Sequence, residues 1–297
     1  MDTITLIISM AACLLGAVIK KIYTARSSGS LTSIHFFNAL VGLVSAVVLF
    51  LWGGFGEFSL YTLLLGALFG VITSLQYIFT MKALQLGPLS YTTVISAFST
   101  VITAVSGMMF FGEDPIGVLQ IIGIALMLLS FFFAVEKKDN EKKGSILWLV
   151  FCILCFIMSG GIGIMQKIHQ SSTHKGELNA FLVTAFAVSF IFSVVLMLIS
   201  KSRENAPVIE KTESGRINWL FIALMVLSGV CIAVNNKLNL YLSGVMDSAV
   251  FFPLVNGGHL VLTTLSAVVF FREKLTVKQW IGVGVGILSV LCLCISW

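Results

Sequence analysis

The chain has 297 residues, of which 58% are hydrophobic and only 10% are charged, and its mean hydropathy is +1.04. Soluble domains are typically about 45–50% apolar and about 25% charged, so this composition excludes an ordinary soluble globular protein. The formal net charge is +5.

Stretches without Asp, Glu, Lys or Arg mark the predicted membrane spans, because charged side chains are costly at membrane depth. In chain order the intervals are 3–19, 27–56, 58–81, 83–112, 115–135, 144–166, 178–200, 217–236, 248–271 and 279–297. Each is 17 to 30 residues long, which fits a spanning helix of about 20 residues. We therefore predict an all-α integral membrane protein with ten transmembrane helices.

The connecting segments are too short to hold a second kind of domain. The longest clearly polar insert, 201–216, has 16 residues, which leaves no room for a soluble catalytic or nucleotide-binding domain. No phosphate-binding loop ending in Gly-Lys-Ser/Thr is present either. A self-contained ATP-driven pump is therefore not expected.

The cysteines and the N-terminus carry little functional information. Cys152 and Cys155 have the spacing of a zinc pair, but no second Cys or His pair lies close in the sequence. Helix packing is therefore favoured over a metal site, and we expect no cofactor and no metal. The first residues lack a positive leader and a cleavage site, so the first span is predicted to be retained.

The distribution of Lys and Arg predicts the orientation of the chain, because cytoplasmic loops hold an excess of them. Fifteen of the eighteen basic residues fall in the loops after the odd-numbered spans. Lys167 and Lys175 fall in the opposite loops, and Lys237 falls next to the eighth interval. This bias places both termini on the non-cytoplasmic side of the cytoplasmic membrane, and it explains the net charge without nucleic acid.

Two short motifs recur in the two halves of the chain. Phe-Phe-x-Glu occurs at 110–113 and 270–273, and Gln-x-x-Gly at 120–123 and 279–282. They divide the chain into two five-helix repeats, 1–140 and 141–297. Because five is odd, the second repeat enters the membrane inverted relative to the first, which is an arrangement typical of secondary transporters.

The ten-helix layout and these two motifs together resemble the drug/metabolite transporter superfamily, in its EamA-type branch. The resemblance covers nearly the whole chain. It implies a secondary carrier whose central cavity is lined mainly by helices 1, 3, 4, 6, 8 and 9. It also implies that the substrates are small metabolites, amino acids or drugs.

Polar residues within the spans are the candidate substrate-binding residues, because they need a partner or a water-filled cavity. An offset of 160 residues aligns the polar positions of the two repeats and suggests that matched residues line one shared cavity. The candidates are Gln76, Tyr77, Ser96, Ser99, Asn235, Asn236, Lys237, Asn256 and His259. For the serines, packing against backbone or a neighbouring helix is the favoured alternative. For Lys237, binding of an anionic substrate group and snorkelling to the membrane surface both remain open.

No Asp or Glu lies deep in a predicted span. An exporter of hydrophobic cations normally relies on a membrane-embedded carboxylate, so neutral, zwitterionic or anionic substrates are favoured. If transport is coupled to a proton, His259 is the candidate carrier.

We therefore predict a secondary transporter of a small polar, amino acid-like metabolite, with export as one option. An intramembrane enzyme or a non-transporting receptor is the alternative. The sequence shows neither a nucleophile–base pair nor a metal cluster that an enzyme would require. Since the two repeats can enclose a cavity, a monomer in the lipid bilayer is sufficient.

Overall fold

The protein is described here by a computed structural model. The structure describes residues 2–26, 30–86, 98–111, 117–134, 146–203, 219–271 and 276–295, and these residues form ten α-helices and one short 3-10 helix. The helices are α1 (Asp2–Arg26), α2 (Leu31–Gly53), α3 (Leu60–Leu86), α4 (Ser99–Phe110), α5 (Val118–Ala134), α6 (Ile146–Ser171), η1 (Lys175–Glu177), α7 (Leu178–Arg203), α8 (Trp219–Val245), α9 (Ser248–Phe271) and α10 (Val277–Ile295).

Six helices of the described chain are long and apolar enough to cross a membrane: α1, α2, α3, α6, α7 and α8. Two more apolar segments are shorter, Val118–Ser130 in α5 and Trp280–Ser289 in α10. An all-α, multi-pass membrane protein is thus the architecture these helices indicate. Four of the ten predicted spans are not among these six helices.

The chain forms two compact units, and each contains helices from both predicted repeats. The first comprises Met1–Met81 and Ser172–Tyr241, and the second comprises Lys82–Ser171 and Leu242–Trp297. These units are defined by contacts, whereas the predicted domains 1–140 and 141–297 are defined by sequence motifs. The division into units therefore leaves the predicted repeat boundary untested.

In the first unit, small residues bring the helices close together. α2 packs along α7, where a Cβ on Gly42 would lie 3.1 Å from the backbone N of Phe190. On α3, a Cβ on Gly66 would lie 2.7 Å from the carbonyl O of Phe181, and a Cβ on Gly70 would collide with the next turn of α7. The Gly-x-x-x-Gly spacing on α3 thus allows close backbone approach, as in other membrane helix pairs.

A carboxylate joins the start of α3 to the connection between α6 and α7 in the same unit. Glu177 accepts hydrogen bonds from the backbone N and the hydroxyl of Ser59, both at 2.8 Å. Its other oxygen lies 2.8 Å from His174 Nδ1. Ser59 in turn caps α3 by accepting from the backbone N of Thr62 at 3.2 Å, so Glu177 fixes the residue that starts this helix.

In the second unit, α5 and α10 pack extensively and run antiparallel. Ser130 Oγ donates to the carbonyl O of Gly282 at 2.7 Å, and Ser289 Oγ donates to the carbonyl O of Gly123 at 2.6 Å. Each serine lies seven residues after the glycine of its own helix. The two hydrogen bonds are therefore reciprocal. α9 contacts α4, α5 and α10, and α4 also contacts α6.

Candidate functional site

The first polar cluster lies between α1 and α8 in the first unit. Ser9 is fully buried, and its hydroxyl lies 3.0 Å from Asn235 Oδ1 and 2.5 Å from Asn239 Oδ1. The Nδ2 of Asn239 donates to Asn235 Oδ1 at 3.3 Å. One hydroxyl and two amides thus form a hydrogen-bonded group inside a predicted span. Asn236 does not belong to it, because its Nδ2 donates to the carbonyl O of Ile232 in its own helix at 2.9 Å.

Lys237 points away from this cluster. It follows Asn235 by two positions, which is a rotation of about 200° around a helix of 3.6 residues per turn. Its ammonium lies 4.4 Å from the centre of the Trp52 ring, at the end of α2. The Lys237 ammonium thus makes a cation–π contact with α2, and the structure does not bring Asn235 and Lys237 together.

A second lysine in the first unit lies against a predicted site residue. The Nζ of Lys20 is 3.8 Å from the centre of the Tyr77 ring, a contact between α1 and α3. The basic residues after the first span were expected in a loop, but α1 continues to Arg26 and includes Lys20. Gln76, next to Tyr77, donates from Nε2 to the hydroxyl of Thr80 at 3.3 Å within α3.

A third cluster lies between α4 and α9 in the second unit. Asn256 Nδ2 donates to the hydroxyl of Thr100 at 2.8 Å, and Ser99 is buried beside it at the start of α4. His259 lies one turn after Asn256 on α9 and is partly exposed. The structure thus places Ser99, Asn256 and His259 on two contacting helices, whereas Ser96 lies outside the described residues.

The serines and threonines of this part of the chain mostly bond to backbone. Thr103 Oγ1 donates to the carbonyl O of Thr100 at 3.0 Å, and Ser106 Oγ donates to the carbonyl O of Thr103 at 2.8 Å. Such bonds satisfy the hydroxyl within its own helix. Thr103 and Ser106 thus make these bonds within α4.

Lys167, which the sequence placed in a loop on the predicted non-cytoplasmic side, lies inside a helix instead. Lys167 and His169 belong to α6, and their side chains are buried. Charge-free intervals end a span at its first charged residue, whereas a helix continues as long as its backbone bonds are made. Within the described ranges, no group of three or more His, Cys, Asp and Glu residues is arranged to hold a metal ion.

Comparisons with known proteins identify the fold and no more. No protein-family model and no curated protein matches the chain. Chains of solved structures do match it, 29 in all. One of them, described as "Crystal structure of protein", aligns with a TM-score of 0.71 and 13% sequence identity over 99% of this chain and 96% of its own. At this identity the likeness shows a shared fold alone.

Sequence reasoning missed Ser9, Asn239 and Lys20 as members of these clusters. Asn239 lies four residues after Asn235 and hence on the same face of α8, a signal that the sequence contained. Ser9 is a single hydroxyl in an apolar span, and its role depends on a helix far away in the chain. Lys20 was hidden because its charge was taken as the end of the first span.

Proposed function

We propose that the protein is a secondary transporter that moves a small polar metabolite across the cytoplasmic membrane by alternating access. The observation that carries this proposal is the reciprocal pair of hydrogen bonds between α5 and α10. Gly123 and Gly282 are equivalent positions of the Gln-x-x-Gly motif, and Ser130 and Ser289 each follow by seven residues.

A reciprocal contact of this kind is what a two-fold axis produces, because residue i of one copy contacts residue j of the other and the reverse. Since α5 and α10 are antiparallel, the local axis is perpendicular to them. The contacts α2–α7 and α4–α9 likewise join helices that are five apart in the chain. These pairings support two inverted five-helix repeats, the arrangement of many secondary transporters, and they agree with the EamA-type resemblance.

Lys20 and Tyr77 favour a substrate with a carboxylate or another anionic group. A basic side chain in a membrane helix usually marks a substrate or ion pathway, and Lys20 contacts a residue that the sequence had already selected. Gln76 precedes Tyr77 in α3 and carries an amide group that forms hydrogen bonds. An amino acid-like zwitterion or an organic anion is therefore the substrate class that we propose, with a proton on His259 as the candidate coupling ion.

Transport by the purified protein in liposomes tests the proposal directly. A panel of amino acids, organic anions, nucleobases and amines is first screened for stabilisation of the protein, since a ligand that binds only the folded state raises its Tm. We expect selective stabilisation by an amino acid or an organic anion, and flux of the chemically unmodified solute. Conversion of the solute would indicate an intramembrane enzyme instead, and binding without flux would indicate a receptor.

Lys20 and Lys237, which both lie over aromatic rings in the first unit, provide a matched pair of variants. We expect Lys20→Met to reduce uptake of the anionic substrate at least tenfold, because Lys20 contacts the predicted site residue Tyr77. We expect Lys237→Met to retain uptake, because Lys237 contacts Trp52, which is exposed and is not a predicted site residue. Equal flux in Lys20→Met and the unaltered protein would remove Lys20 from the site. Loss of flux in Lys237→Met alone would instead favour the substrate-binding alternative for Lys237.

Orientation is tested with fusions to the C-terminus. Because cytoplasmic loops hold an excess of Lys and Arg, the loop charges predict a non-cytoplasmic C-terminus. We expect alkaline phosphatase, which is active only outside the cytoplasm, to be active when fused to the C-terminus. A fluorescent reporter that folds only in the cytoplasm is expected to remain dark, and the opposite result would reverse the orientation.

A further inference from the structure

Lys167 is the most deeply buried lysine among those whose side chains the structure describes, with only 8% of its surface exposed. It lies in α6 four residues before the end of that helix. A buried ammonium in a membrane protein needs strong hydrogen-bond acceptors, because its transfer from water is costly. The proposed substrate site makes no use of it.

The acceptors of Lys167 are backbone carbonyls at the end of α8. Its Nζ donates to the carbonyl O of Ser243 at 3.0 Å and to the carbonyl O of Met246 at 3.2 Å. α8 ends at Val245, so the carbonyl of Ser243 belongs to the terminal carbonyls that lack a donor in their own helix. Met246 follows the helix directly. The helix dipole adds partial negative charge at the same place.

The surroundings of Lys167 are also polar and buried. Ser243 and Ser248 are almost fully buried, as is His169. Gln170 lies between His169 and α8: its Nε2 is 3.3 Å from His169 Nδ1, and its Oε1 would lie 2.5 Å from a Cβ on Gly244. The carboxylate of this region belongs to Asp247, which is exposed.

We propose that Lys167 is a tethered cation, whose ammonium occupies a carbonyl site at the C-terminal end of α8 that would otherwise bind a free monovalent cation. Backbone carbonyls at helix C-termini bind the coupling ions of many secondary transporters, and carbonyl oxygens coordinate monovalent ions in channels. Here a side chain supplies the charge. A carrier built in this way needs no free alkali ion at this place.

The consequence for coupling depends on the proposed transport function, but the cation site does not. The cation site is therefore tested by measuring the thermal stability of the purified protein without any substrate. Failure of this test and failure of the flux test are thus separate results.

The variant Lys167→Ala removes the ammonium and leaves space beside the two carbonyls. We expect its Tm to fall by about 5–10 °C, given two lost hydrogen bonds from a charged donor. Methylammonium chloride should restore at least half of that loss in a saturable way. Tetramethylammonium chloride at equal concentration should not, because it has the same charge but no N–H donor.

Lys167→Met is the matched control, since it removes the charge but keeps most of the side-chain volume. We expect it to lose stability and to show no response to methylammonium. If Lys167→Ala cannot be purified in sodium buffer, it should be recovered in methylammonium buffer. The proposal is overturned if Lys167→Ala fails in both buffers, responds no more than Lys167→Met, or if either variant is as stable as the unaltered protein.

Discussion

The reciprocal hydrogen bonds between α5 and α10 give a quantitative prediction about symmetry. Ser130→Ala and Ser289→Ala each remove one bond from a buried hydroxyl to a backbone carbonyl, at 2.7 and 2.6 Å respectively. Interhelical hydrogen bonds in membrane proteins contribute about 0.6 kcal/mol on average and up to about 1.7 kcal/mol. Because the two bonds have the same geometry, we expect each variant to lose an equal free energy of unfolding within this range.

The double variant extends the prediction. Along each helix the two hydrogen bonds lie seven residues apart, a distance of about 10 Å. Effects at such a separation usually add, so we expect the double variant to lose about twice the free energy of either single variant. Reversible unfolding in mixed micelles, followed by circular dichroism, measures all three values.

A buried serine without such a bond provides the control. Ser193 is fully buried in α7, and its hydroxyl has no hydrogen-bond partner in the described part of the chain. We expect Ser193→Ala to leave the free energy of unfolding unchanged or to raise it, because an unsatisfied polar group is removed. The reasoning is refuted if Ser130→Ala and Ser289→Ala behave like this control, or if they differ from each other by more than about 1 kcal/mol.

Three further predictions concern other contacts. Gly66→Ala should lower the free energy of unfolding by about 1–3 kcal/mol, because its Cβ would lie 2.7 Å from a backbone oxygen of α7. Gly284→Ala, which has open space at its Cβ, should have no such cost. Equal Tm values for the two variants would contradict this prediction. Glu177→Gln should increase the rate of amide hydrogen exchange in the first turn of α3, because the charge-assisted hydrogen bonds from Ser59 are weakened. An unchanged exchange rate would contradict this prediction. Asn239→Ala should lower the Tm, because it removes the hydrogen bond between Asn239 of α8 and Ser9 of α1. An unchanged Tm would show that α1 and α8 are held together without this amide.

The sequence predicted helices well because one physical quantity, the cost of charge in a bilayer, dominates the pattern. It predicted their ends less well. α1 continues past Lys20 to Arg26, and α6 continues past Lys167 to Ser171, since a charged residue near a helix end keeps its backbone bonds while its side chain finds local acceptors. The spacing of charged residues in the sequence does not show which group each charged side chain will contact.

The sequence predicted how far along its span each candidate residue lies, but not which residues it contacts. The repeat offset selected Asn236 and Lys237, and Asn235 was added beside them, but on the helix these residues face different neighbours. Asn235 meets Ser9 of α1, Asn236 bonds to its own backbone, and Lys237 meets Trp52 of α2. Depth along a span can be counted from the chain, whereas the rotation of each helix depends on which partners it packs against.

Three of the lysines in the helices show why depth along a span does not by itself assign a role. The ammonium groups of Lys20 and Lys237 both lie over aromatic rings, whereas that of Lys167 binds two carbonyl oxygens. An aromatic face attracts a cation electrostatically, whereas carbonyl oxygens accept its N–H donors. Two carbonyls direct those donors to the backbone. We therefore propose Lys20, which contacts the predicted site residue Tyr77, for substrate binding, and Lys167 for the place of an ion.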